Sequence, residues 1–340
     1  MEFPGQSAAG GSGAGGAGWW ALLIGLLALL GAVLLIVRPP HLLLASPFDR
    51  EERAPSVSAS PAVFGYSGEV RVQLVLPGES FQFPLEVRGD PGALTYAWVR
   101  ALDSAVVTPP LPLAGAEVVA PGFAGFYRLD VERESGHRIV GSVLVAVMVP
   151  YASKIGQSIN GYRIGNYAPG ADGEPAAMPR GFVEVTPETV ELAVSKHMRL
   201  ADFVTHDEQG DQWPKYVALD TRVLDKVELV LAYVGAFRGG RNNVVAVDVH
   251  SGFRTPVYNR RVPRSARDSR HQFGDAADLA IDADGDGRVT YRDGMLVALQ
   301  VEQVERDYPQ YVGGLGIYGN RNGVPYVHID VRGKRVRWKG

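Results

Sequence analysis

The sequence predicts three structural units in series: an N-terminal transmembrane helix, an all-β sandwich and a C-terminal α+β domain. Three observations carry this. Residues 19–37 contain no charged side chain, residues 62–150 alternate apolar and polar positions with a period of two, and the remainder mixes helical spacing with short apolar runs. The 340 residues leave room for two domains plus extra segments. Hydrophobic residues at 46% and charged residues at 21% argue against wholesale disorder. A net charge of −3 argues against a broad basic surface for nucleic acid. The chain has no cysteine, which excludes disulfides, thiolate metal sites and cysteine nucleophiles. Any metal must be held by His, Asp, Glu or backbone oxygen.

Residues 1–18 include seven glycines and read as a flexible tail. The apolar run WWALLIGLLALLGAVLLIV starts at Trp19, ends at Val37, and at about 1.5 Å per residue is long enough to span a bilayer. The competing reading, a cleaved signal peptide, needs a basic leader and a shorter apolar stretch, and neither is present. Arg38, Arg50 and Arg53 follow the span and no Lys or Arg precedes it, so charge counting alone leaves the C-terminal bulk in the cytoplasm. Residues 38–61 are rich in Pro, Ser and charge and read as a linker.

Residues 62–150 form the sandwich. Val70 to Leu76, Phe81 to Val87, Leu94 to Trp98 and Tyr127 to Val131 alternate, and residues 141–149 are nearly all apolar. The pattern predicts antiparallel strands. Trp98 in mid-domain, followed by GFYRLDV at residues 125–131, resembles an immunoglobulin-like sandwich with its core Trp and tyrosine corner, here without the disulfide. Residues 151–340 form the second unit, of which 151–180 read as a connector with few core residues. Val223, Leu224, Val227, Leu231 and Val234 predict a helix near 221–237 capped by Asp220 or Thr221, and residues 244–249 read as a buried strand.

The chemistry concentrates in three pieces: SGFRTPVYN (residues 251–259), SRHQFGDAADLAID (269–282) and YVHIDVRG (326–333). His271 and Asp278 are separated by Gly274, Ala276 and Ala277, small residues that let both side chains reach one point. A nitrogen and a carboxylate suit zinc, and His328, in a strand-like run, is the candidate third ligand. From these residues alone, ordinary hydrogen-bonded histidines remain the simpler reading.

SRHQFGDAAD matches Ser-x-His-x-x-Gly-x-Ala-x-Asp, and on it the region from about 175 to 340 resembles the LAS-type zinc peptidases. These comprise the D-alanyl-D-alanine carboxypeptidases and dipeptidases and the murein endopeptidases, with a fold related to hedgehog domains. The likeness is greatest to the carboxypeptidase-like C-terminal domain branch. SGFRTPVYN also looks like the family's Ser-Gly-aromatic-Arg-Thr segment, and VHIDVRG carries His328 in the place of the family's late-strand ligand, so the resemblance implies zinc held by His271, Asp278 and His328, and Arg254 as the residue that stabilises the oxyanion. It implies amide hydrolysis in peptidoglycan stem peptides or cross-links, either carboxypeptidase or endopeptidase. It also implies the envelope side, against the charge count, so with the apolar span the chain is expected to be a single-pass protein of the bacterial inner membrane with its C-terminal domains in the periplasm or envelope space. Many members carry Glu three residues before the last zinc ligand or His two before it; here Pro325 and Tyr326 stand there. Asp330, two residues after His328 on the same strand face, is the candidate base. The departure leaves a second function open: an inactive module that retains metal and binds cell wall or a partner protein.

A second metal site is predicted downstream. Asp282, Asp284, Asp286, the Arg288 carbonyl, Thr290 and Asp293, with Gly287 at the sharp turn, have calcium-loop spacing, with Asp in place of Glu at the last position. Of the remaining His197, His206 and His250, His206 with Asp207 and Glu208 could line the cleft, but surface histidines beside acids are common and none is taken as a site residue.

Overall fold

The computed structural model describes residues 56–59, 64–88, 94–113, 115–133, 136–168, 178–239, 245–319 and 323–340. The predicted tail, the apolar span from Trp19 to Val37 and most of the 38–61 linker lie outside these residues. Among the described residues no helix is long and apolar enough to cross a membrane.

The sandwich is made of strands β1 (Ser56–Ala59), β2 (Val72–Val75), β3 (Ser80–Gln82), β4 (Leu85–Arg88), β5 (Thr95–Arg100), β6 (Leu111–Pro112), β7 (Glu117–Val119), β8 (Gly125–Arg133) and β9 (Gly136–Val147). One sheet runs β2-β9-β8-β5-β6, and the pairs β1-β4 and β3-β7 complete the sandwich. The expected antiparallel pattern needs one correction: β2 lies parallel to β9, because the long chain between them returns β9 in the same direction. Ser56–Ala59, inside the stretch read as linker, pairs with β4. Trp98 is fully buried, ringed by Phe81, Phe83 and Tyr96, and its indole donates to the Val119 carbonyl at 2.7 Å. The Tyr127 hydroxyl donates to the Phe123 carbonyl at 3.0 Å, the local turn that the GFYRLDV pattern implied.

Residues 141–149 are apolar on both faces for a physical reason. Val143, Val145 and Val147 enter the sandwich core, while Leu144, Ala146 and Met148 enter a second core built with the C-terminal region. That second core also takes Val70, Val72 and Phe126, and residues 54–340 form one compact unit. Strands β10 (Val149–Pro150), β13 (Gly181–Val185) and β14 (Lys215–Val217) make a small sheet below it. The connector departs from its reading. A hairpin of β11 (Ser158–Ile159) and β12 (Tyr162–Arg163) turns at Asn160 and Gly161, both at positive φ, and buries Ile159, Tyr162 and Ile164.

The C-terminal sheet runs β15 (Asp248–Ser251), β16 (Ala276–Ala280), β18 (Tyr326–Asp330), β17 (Gly314–Tyr318), β19 (Val336–Lys339), antiparallel except for β19 on β17. The expected buried strand over 244–249 therefore starts later, at Asp248. Helix α1 (Thr221–Phe237) begins at Asp220, whose carboxylate accepts the Arg222 amide, as the periodicity predicted. A single turn, α2 (Pro256–Asn259), follows its N-cap Thr255. Helix α3 (Tyr291–Asp307) leaves the acidic loop through a capping box of Thr290 and Asp293. Leu279, Leu315, Ile317, Val327 and Ile329 join the apolar faces of α1 and α3 in one core. One face of the sheet is thus covered by helices, and Asp278 and His328 alternate onto the other.

Candidate metal centre

His271, Asp278 and His328 meet at one point although 57 residues separate the first from the last. Asp278 and His328 are direct cross-strand partners on β16 and β18, so their side chains stand side by side. His271 arrives from a tight turn at Arg270–Phe273 that ends at Gly274 with φ 72°. A Cβ on Gly274 would lie 2.1 Å from the Ala218 carbonyl oxygen, so both the left-handed backbone and the close approach require glycine there. Ala276, Ala277 and Ala280 are almost wholly buried and let β16 lie deep in the sheet.

The donor atoms converge. His271 Nε2 lies 3.1 Å from Asp278 Oδ1 and 3.1 Å from His328 Nδ1, and the last two are 2.9 Å apart. The residues are 2%, 5% and 6% exposed, so water does little to screen them. The outer nitrogens are committed. His271 Nδ1 donates to the Gly252 carbonyl at 2.6 Å, and His328 Nε2 donates to Asp330 Oδ2 at 3.2 Å. Two ring lone pairs and a carboxylate therefore face one another across about 3 Å. Such an arrangement needs a cation between them, either a proton on His328 or a metal. Donors spread tetrahedrally about zinc at roughly 2.0–2.1 Å would sit about 3.3–3.4 Å apart, close to the observed spacing. The donor set and geometry fit zinc.

Electrostatics agree with a cation site. Burial acts to raise the Asp278 carboxyl, but His271 and His328 hold it well below the usual range, so it is ionised. Burial lowers His271, which stays neutral. For His328 burial works against the charged ring, and hydrogen bonds to Asp278 and Asp330 overcome it and raise the pKa.

Arg254 stands at the rim. Its Nη2 donates to Asp278 Oδ2 at 2.5 Å and its Nε to Ser251 Oγ at 2.7 Å. Thr205 Oγ1 fixes the backbone on either side of it, donating to the Phe253 carbonyl and accepting the Thr255 amide, each at 3.1 Å. Asp330 does not take the base position expected of it. It is fully buried, and its carboxylate accepts His328 Nε2, the Gly314 amide at 2.7 Å and Arg332 Nε at 2.9 Å. It touches the imidazole nitrogen that points away from the cluster, so it orients His328 and does not face the open side. Period-two reasoning placed Asp330 on the correct face of the strand but could not say which nitrogen it would meet.

The wall beside the cluster is aromatic, which sequence reasoning missed. Tyr326 stacks on Tyr318 at 4.4 Å between ring centroids, Trp338 lies 5.1 Å from the His328 ring, and His250 lies 5.9 Å from Tyr326. Gly316 makes room for this wall, since a Cβ there would meet the Trp338 ring at 2.4 Å. The period-two spacing of Tyr326 and His328 was the available signal. His250 Nε2 pairs with Asp248 at 3.2 Å and His197 Nδ1 with buried Glu228 at 2.7 Å.

In the acidic loop, Asp282, Asp284 and Asp293 gather with donor oxygens within 4.8 Å of one another, and Asp286 is not among them. Each carboxylate is already partnered. Asp282 accepts the amides of Gly285 at 2.8 Å and Gly287 at 2.9 Å, and Asp286 that of Arg288 at 2.9 Å. Asp293 accepts the Ala283 amide at 2.8 Å and, on its other oxygen, the Thr290 hydroxyl at 2.7 Å. Of the six predicted ligands, three carboxylates are brought together.

No family model matches the chain, and no curated protein matches it. Among solved structures, the L-Ala D-Glu endopeptidase ChiX of Serratia marcescens is similar at 19% identity, over 34% of this chain and 83% of its own, with a TM-score of 0.25. Immunoglobulin domains 1–4 of Sidekick-1 are similar at 20% identity, over 29% of this chain and 23% of theirs, with a TM-score of 0.19. A Sidekick-1 fragment of domains 1–5 is similar at 20% identity over 18% of its length, again with a TM-score of 0.19. The chain thus spans less than a quarter of the Sidekick-1 chains it matches. Likeness at these scores says nothing of activity or substrate; what the chain offers on its own residues is a buried His-Asp-His cluster with an arginine at its rim and aromatic rings beside it.

Proposed function

We propose that the chain is a zinc-dependent hydrolase of peptide amide bonds in peptidoglycan, tethered to the bacterial inner membrane by residues 19–37 with its folded part on the envelope side. One observation carries the metal reading: two imidazole nitrogens and an ionised carboxylate converge at 2.9–3.1 Å while the outer ring nitrogens are committed elsewhere. The substrate class and the location rest on the resemblance of the SRHQFGDAAD, SGFRTP and VHID segments to LAS-type peptidases.

Zinc held by His271, Asp278 and His328 would supply an activated water and a Lewis acid for the scissile carbonyl. The remaining work falls to the chain. Arg254, fixed by Ser251 and Asp278, presents its guanidinium where charge develops on the carbonyl oxygen. Tyr326 is pushed up to about 12, first by burial and then by the Asp278 charge, so at neutral pH its phenol keeps its proton. Asp330 holds the His328 tautomer. The acidic loop would take calcium as a structural ion at the start of α3.

A second reading, a metal-retaining binding module without turnover, is favoured by the position of Asp330 behind His328 and by Pro325 where many relatives carry Glu. One experiment separates the two. Full-length protein in detergent, loaded with zinc, is incubated with purified sacculi and the released muropeptides are identified by mass spectrometry. Defined products are expected, absent in His271→Ala and reduced about 10²- to 10³-fold in Arg254→Ala. Zinc bound at one equivalent with no product from the wild type would establish the binding module instead.

A further inference from the structure

We propose that Lys226 is a positioning residue for His328, acting from the helix layer through Asp330; this rests on the metal-site reading above. Lys226 lies on α1 and is fully buried, 0% exposed, where an ammonium group persists only when it is held. Its Nζ donates to Glu305 Oε1 of α3 at 2.7 Å and to the backbone carbonyl of Asp330 at 2.8 Å. Glu305 also accepts the Gly313 amide at 3.1 Å and pairs with Arg337 of β19. Groups from α1, α3 and β19 thus converge on the end of β18.

Asp330 is consequently fixed at both ends. Lys226 holds its carbonyl; the Gly314 amide and Arg332 hold its carboxylate. The fit leaves no slack. A Cβ on Gly313 would lie 1.9 Å from the Asp330 carbonyl oxygen, and one on Gly314 would lie 2.3 Å from Asp330 Oδ2. The oxygen so placed meets His328 Nε2 at 3.2 Å and directs Nδ1 into the cluster. Stability alone does not account for this arrangement. Burying an ion pair is costly, and a well-packed apolar residue of similar volume is often at least as stable. The placement of Lys226, one hydrogen bond from the residue that orients a ligand, supplies a role that an apolar residue could not fill.

Two readouts test this on the full-length protein in detergent. The first is the His328 tautomer in zinc-loaded protein, read from long-range proton–nitrogen correlations. The second is zinc affinity by chelator competition. Wild type is expected to carry its proton on Nε2. In Lys226→Met the tautomer becomes mixed and zinc binds about tenfold more weakly or worse. If Lys226→Met only lowers the melting temperature and leaves tautomer and affinity unchanged, Lys226 is structural and the proposal falls. Should that variant fail to fold, Gly314→Ala displaces the Asp330 carboxylate without removing a charge. It must give the same two changes, and their absence overturns the proposal equally. Wild-type protein that binds no zinc would defeat the metal reading, whereas wild type that binds zinc beside an unchanged Lys226→Met overturns only the role of Lys226.

Discussion

The buried cluster and the acidic loop lie on the same stretch of chain, with Asp278 and Asp282 only four residues apart, yet they treat a cation in opposite ways. In the cluster, two ring nitrogens and a carboxylate converge, and among the described residues no backbone amide enters between them. In the loop, the carboxylates accept the amides of Gly285, Gly287, Ala283 and Thr290, so the fold satisfies them by itself. A cation is needed in the first and optional in the second. Spacing in sequence does not separate the two cases; the number of amides within reach of each carboxylate does.

Metal content breaks or keeps this comparison most sharply. On the proposed function, purified His271→Ala is expected to retain no zinc and to lose hydrolysis by at least about 10³-fold, since the ion would be the activating group. Asp282→Ala is expected to keep its zinc and most of its activity. Plasma mass spectrometry of the two variants reads the outcome. Zinc persisting without His271, or lost without Asp282, would show that the two sites are not independent in the way their hydrogen bonds indicate.

Much of the architecture was legible because local signals were strong. The Val223 to Val234 spacing with Asp220 in front located α1 to the residue, and the small residues of GDAAD located the tight entry to β16. What escaped depended on distant partners. Asp225 and Glu228 look like the polar side of an amphipathic helix, yet both are buried. Asp225 accepts the Tyr66 and Ser67 amides at 2.7 and 2.9 Å, and Glu228 accepts Ser195 Oγ at 2.6 Å. Nothing within a helix turn of either residue announces such partners. The Asn160–Gly161 turn was different, because a two-residue hairpin signal stood in plain view among residues too sparse in apolar character to suggest a core.

A smaller effect sharpens the loop side. Asp293 is the third residue of α3 and caps it through protein hydrogen bonds alone, accepting the Thr290 amide at 2.8 Å. Asp293→Ala should therefore cost about 1 kcal/mol in EGTA as well as in calcium. Asp284→Ala should remove only the calcium-dependent rise in melting temperature. Thermal unfolding followed by circular dichroism in both buffers separates cap from ligand. A loss for Asp293→Ala confined to calcium would mean that the cap forms only around the ion.

The smallest expected effect lies at the far rim of α3, where charge is exposed enough to be screened. Glu302 accepts Arg337 Nε at 2.6 Å and Arg335 Nη2 at 2.8 Å, joining α3 to the edge strand β19. The Arg337 hydrogen bond is the main reason its carboxyl is held below the ordinary value. A depressed carboxylate contributes stability that is complete above its unfolded pKa of about 4.3–4.5 and is lost as pH falls through the lower folded value. Wild type should thus lose somewhat more stability than Glu302→Gln between pH 5 and pH 3, by no more than about 1 kcal/mol and less in high salt. Urea unfolding at several pH values measures the difference. Equal pH dependence in the two proteins would mean that β19 is held by Glu305 and by packing alone, and that the inner pair with Lys226 does not need its outer rim.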